Sequence, residues 1–140
     1  MKRLLLSLAA LAILSGTAQA QDVCAPAKVT NISQTYTWYG AFTIAWTATG
    51  DDCTTGNAAT YEVRHSASAI TDTNWQSAAI ACTGNSATNG NQNECCITVV
   101  PCTTAAHYFA IFLIDDAGNR SPIATGSGTA RCSAPYELCE

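Results

Sequence analysis

Eight cysteines, two histidines and two pairs of adjacent aspartates are the residues of this 140-residue chain whose chemistry could define an activity. The cysteines stand at 24, 53, 82, 95, 96, 102, 132 and 139, three of them inside the stretch NECCITVVPC, residues 93–102. Thiolates can bind zinc, exchange disulfides or cross-link. Zinc sites show paired knuckles with two to four residues between thiolates, whereas here the successive gaps are 28, 28, 12, 0, 5, 29 and 6 residues. A Cys-x-x-Cys redox pair is absent from the sequence. Adjacent Cys95 and Cys96 project to opposite faces of a strand and so serve two different bridges. An even count at this density reads as a disulfide framework of an oxidising compartment.

The remaining chemistry is sparse. No nucleophile elbow, His-Glu-x-x-His or phosphate loop occurs. Neither His65 nor His107 has a nucleophile or an orienting carboxylate at a recognisable spacing. No catalytic residue is therefore assigned, the chain is read as a non-enzyme, and no cofactor is expected. Asp51, Asp52, Asp115 and Asp116 could together hold calcium, but they lack the ordered oxygen spacing of known calcium loops. Capping of solvated turns is the competing reading.

The elements that must position these residues begin after residue 20. Lys2 and Arg3, the apolar run LLLSLAALAIL (4–14) and AQA (18–20) make residues 1–20 a signal peptide cut after Ala20, with a run too short to span a bilayer. The mature chain is expected to be secreted, either extracellular or periplasmic. Of six basic residues the leader removes two, so four face ten acidic ones and the mature charge is 4 − 10 = −6. That balance excludes nucleic acid, whose binding needs a basic face, and electrostatic attachment to a membrane.

Two-residue alternation recurs along the mature chain. Phe42, Ile44 and Trp46 share one face of FTIAW; Tyr61, Val63 and His65 share one face of YEVRH; Phe109, Ile111 and Leu113 share one face of HYFAIFLID. Gly, Asn, Asp and Thr clusters separate these runs, which argues for an antiparallel β-sandwich. The polar segment 83–93 reads as a long solvated loop.

Residues 42–75 followed by 97–122 resemble fibronectin type III domains, in particular their bacterial secreted form. The resemblance rests on Trp46, on Tyr61-x-Val63 and on the turn DDAGNRSP (115–122), and it spans about 27–131. It implies an all-β Greek-key sandwich forming one domain, 21–131, with a tail at 132–140. The strands it implies lie at about 27–34, 42–48, 59–66, 75–80, 95–100, 107–115 and 124–131. Trp46, Tyr61, Val63, Ile97, Phe109 and Ile111 would form the core. His107 would take the place of the corner tyrosine and bond the preceding turn through an imidazole N–H, and His65 would replace a strand tyrosine. In the same topology Cys24, Cys53, Cys82, Cys95 and Cys96 gather at the pole where the chain enters, and Cys102, Cys132 and Cys139 at the other. Cys82 would pair with Cys95 or Cys96, and Cys102 with Cys132.

The turn before the second strand, TYTWYGA (35–41), carries Tyr36, Trp38 and Tyr39 where the family has small polar residues. These aromatics either form a binding surface for a protein or glycan or lie under the tail, drawn in by Cys132 and Cys139. The function expected is a secreted, non-catalytic binding or adhesion module stabilised by disulfides. The alternatives are a subunit that self-associates into an extracellular polymer, and a small hydrolase or an inhibitor of one.

Overall fold

The alternating runs become strands, and the strands divide between two antiparallel sheets. The computed structural model describes residues 22, 24–38, 41–98 and 105–129, with backbone alone at 36–38 and 96–98. Within these residues β1 is Thr30–Trp38, β2 Ala41–Thr47, β3 Thr60–Ser66, β4 Ala79–Asn85, β5 Gln92–Thr98, β6 Ala106–Ile114 and β7 Ala124–Thr129. One sheet runs β1-β2-β5 and the other β4-β3-β6-β7. This is a fibronectin type III-like sandwich, the architecture that the sequence implied. The expected signal peptide 1–20, the tail 132–140, Tyr39, Cys102, Cys132 and Cys139 lie outside the described residues, as do the side chains of Tyr36, Trp38, Cys96 and Ile97.

The inward faces make one apolar core. Phe42, Ile44 and Trp46 of β2 meet Val63 of β3 and Phe109, Ile111 and Leu113 of β6, and all seven are almost wholly buried. Trp46 stands edge-on to the Tyr61 ring with centroids 4.9 Å apart. Each such side chain contributes roughly 1.5–3 kcal/mol by leaving water.

Several boundaries differ from the sequence expectation. β1 continues to Trp38 and pairs Tyr36 with Phe42 and Trp38 with Ala41, so two of the three aromatics stand on a strand rather than in a turn. The segment expected as a long loop, 83–93, is shorter as a loop, because strand enters it from both ends. β4 continues to Asn85 and β5 starts at Gln92, so only 86–91 connect them. That connection is braced: Gly90 N donates to Ala48 O (3.0 Å), Ala87 N to Asn93 Oδ1 (2.7 Å) and Asn89 Nδ2 to Thr54 O (2.9 Å). Gly90 takes φ +84°, a left-handed value open to glycine at little cost.

Residues 75–80, expected as a strand, begin instead as a short 3₁₀ turn, Trp75–Ser77, with β4 starting at Ala79. The connection between β3 and β4 lies as a strap over the outer face of the four-stranded sheet. Ile70 and Ala78 of the strap pack on Ala110 and Phe112 of β6 and on Ile123, with Trp75, Tyr108 and Ile114 alongside. β6 is apolar on both faces because both are covered.

Candidate functional site

Among the described residues, four places on this scaffold hold the chemically distinctive side chains. At the end of the sandwich where β3 stops and β6 starts, the two histidines meet. His65 faces Phe109 across the β3–β6 ladder, and His107 lies two residues before Phe109 on β6. The rings stack with centroids 5.2 Å apart, and His65 Nε2 shares a 3.0 Å hydrogen bond with His107 Nδ1. Phe42 closes on the other side of His107 at 5.9 Å. His107 is buried, and among the described residues its Nε2 has no hydrogen-bond partner. The expected bond from the corner position to the preceding turn is thus replaced by a bond to the other histidine. Burial holds the His65 pKa below its ordinary value, and repulsion from the His107 ring lowers it further.

The four aspartates gather at the opposite end, joined by Asp22, but they do not behave alike. Asp115 is buried and its two oxygens accept hydrogen bonds from Asn119, from N at 2.6 Å and from Nδ2 at 2.8 Å. The carboxylate braces its own turn. Asp51 is raised above the usual carboxylate range by desolvation first, then by the charges of Asp116, Asp115, Asp52 and Asp22. Asp52 is raised chiefly by Asp22. Among the described residues no three His, Cys, Asp or Glu side chains are grouped as a metal ion would require. Asp115 shows the physical reason: its oxygens are turned into the protein and already accept two N–H groups.

Among the described residues two disulfides brace the frame. Cys24 bonds Cys53, tying the entering chain to the loop after β2 at the acidic end. Cys82 bonds Cys95, one of the two partners left open by the sequence. Cys82 lies opposite Val63 and Cys95 opposite Ile44, both mid-strand. This bridge therefore joins the two sheets at mid-height along the β4–β5 side instead of sitting at the pole expected for it. Cys95 is part of the core.

The strap is the fourth place, and sequence reasoning missed it. Arg64 of β3 grips the strap, its Nη1 donating to the carbonyls of Gln76 and Ala78 (3.0 Å each) and of Trp75 (3.4 Å), while its Nε pairs with Glu62. Trp75 stands edge-on to Phe112, and the guanidinium carbons of Arg120 and Arg64 lie 3.9 and 4.7 Å from the Trp75 ring. Asn74 pins the bend, accepting from Thr71 N (2.7 Å) and donating to Ala69 O (3.0 Å). Between the strap and β7 runs a groove of about 310 Å³, lined by Ala69, Ile70, Tyr108, Thr125, Gly126 and Ser127 along with Phe109. The signal that could have revealed it was present: Tyr108, Ala110, Phe112 and Ile114 make the outward face of β6 apolar, which demands a cover.

Comparison with known proteins places little beside these observations. No protein-family model matches the chain, and no curated protein matches it. Among solved structures, the chain is similar to the sixth fibronectin type III domain of human fibronectin type III domain containing protein 3. The match has 12% identity and a TM-score of 0.48, and it covers 87% of this chain and 99% of that one.

Proposed function

We propose that this chain is an exported, non-catalytic binding module that makes protein or glycan contacts outside the cell. The histidine pair carries this reading. Histidine is the side chain best suited to move protons near neutral pH, and here both histidines bond to each other inside the sandwich. Among the described residues, no hydrogen bond joins either ring to a carboxylate or a nucleophile. The braced loops and inter-sheet disulfide fit the same reading, since a rigid scaffold lowers the entropy lost when a surface binds.

Panels of esterase, glycosidase and protease substrates test it. The expected result is no turnover above background. Turnover that disappears in a folded His65→Gln or His107→Gln protein would replace the binding reading with a hydrolase. Size-exclusion chromatography with and without reductant tests the oligomeric state. An apparent mass that grows with concentration would favour the self-assembling subunit instead.

A further inference from the structure

Resting on the binding-module reading, we infer that the groove between the strap and β7 binds an uncharged saccharide. The argument starts from the register. Tyr108 of β6 lies directly opposite Ser127 of β7, and Ala110 lies opposite Thr125. These side chains stand on the outward face, because Phe109 and Ile111, next to them on β6, fill the core. Ser127 and Thr125 are exposed, and Tyr108 is half-buried. Among the described residues, none of the three hydroxyls takes part in a side-chain hydrogen bond, so each is free to serve a ligand.

The opposite wall is aliphatic, formed by Ala69 and Ile70. The strap that carries them is held in place by Arg64, Asn74 and the Trp75–Phe112 contact, so the wall is fixed before anything binds. Preformed clefts of this kind begin at roughly 300 Å³ for small ligands, and this one measures about 310 Å³. Its lining joins an aromatic ring, three hydroxyl groups and an aliphatic wall.

No charged residue lines the groove, while the chain as a whole is acidic. A ligand that combines apolar C–H faces with many hydroxyl groups and no charge matches this lining. A pyranose has that combination. An anionic ligand meets no cation in the groove and faces a protein of like charge, and an apolar one would leave the three hydroxyls unpaired.

The test is titration of the oxidised full-length chain, followed by amide and methyl NMR. The probes are neutral hexasaccharides of β-1,4-linked glucose, mannose and N-acetylglucosamine, with polyuronate and sulfated oligosaccharides as anionic counterparts. At least one neutral probe is expected to bind and to shift the signals of residues 69, 70, 108 and 125–127. Ser127→Lys, a substitution at an exposed position, should weaken that binding at least tenfold without moving the melting temperature, and Tyr108→Phe should weaken it less. Preference for the anionic probes, or no binding of any neutral probe, overturns the proposal. If binding survives Ser127→Lys but is lost in Trp38→Ala, the groove is wrong while the binding-module reading stands. If turnover appears in place of binding, the module reading fails first.

Discussion

At His65, burial and the neighbouring His107 ring both disfavour the charged imidazole, so the folded protein binds that proton less readily than the unfolded chain, whose histidine titrates near 6.5. The sign follows from linkage: the stabilisation is complete above 6.5 and is lost as pH falls below it toward the folded value. The pairing also requires one imidazole to accept, which a doubly protonated pair cannot do. Melting temperature should therefore fall between pH 7 and pH 5, and His65→Gln should flatten that part of the profile. A flat wild-type profile would contradict the pairing. Asp51 carries the opposite sign, since burial and four neighbouring carboxylates raise its pKa, so the folded protein holds its charged form less readily than the unfolded chain does. Asp51→Asn should raise the melting temperature at pH 7, and the gain should shrink in 1 M salt, where repulsion between charges is screened within about 3 Å. The sequence holds two Asn-x-Ser sequons, at Asn31 and Asn119; Asn119 donates its amide to Asp115 and to the Asp22 carbonyl, while Asn31 is exposed and donates its amide to Thr47 Oγ1.

Among the elements, the strap and the two bridges answer to different forces. Removing the Trp75 ring strips the cover from Phe112 and the π-face from two guanidinium groups. Trp75→Ala should cost about 2 kcal/mol, read as a lower denaturation midpoint. For the bridges, chain entropy assigns about 3 kcal/mol to Cys82–Cys95 and about 3.5 kcal/mol to Cys24–Cys53, whose separations are 13 and 29 residues. Access runs the other way for reduction. Cys53 is exposed and Cys95 is buried, so mild reductant should open Cys24–Cys53 first, which mass mapping of alkylated peptides would read out. The same contrast explains what could be read from the sequence. β2, β3 and β6 are central strands, and their Phe, Ile, Val and Leu residues alternate clearly. β4 and β5 lie at sheet edges and read AIACTGN and QNECCIT; such small and polar residues give little strand signal, so the end of β4 and the start of β5 read as loop. The strap was hidden for another reason. Its apolar residues are isolated in a turn-rich stretch and acquire meaning only once the outward face of β6 is known to need covering. The disulfide Cys24–Cys53 was hidden too, because cysteine spacing limits pairings without choosing among them.

Across the whole molecule, the two lateral seams between the sheets are closed by unlike means. On one side Cys82–Cys95 joins β4 to β5 covalently. On the other, β1 lies against β7, and Gln34 rests on two glycines, Gly126 and Gly128, where any Cβ would press into the glutamine or into Phe42. Among the described residues the buried Gln34 Oε1 has no hydrogen-bond partner. A Gly126→Ala substitution should accordingly destabilise the fold even though alanine is otherwise a modest change, and thermal melting would register it. The arrangement resembles a book bound along one spine. Thermal opening, pulling or denaturant should part the covers at the β1–β7 margin while the β4–β5 margin holds. Amide protons of β1 and β7 should therefore exchange with solvent sooner than those beside the bound edge. Reduction would release the spine and leave a sandwich able to open from either side.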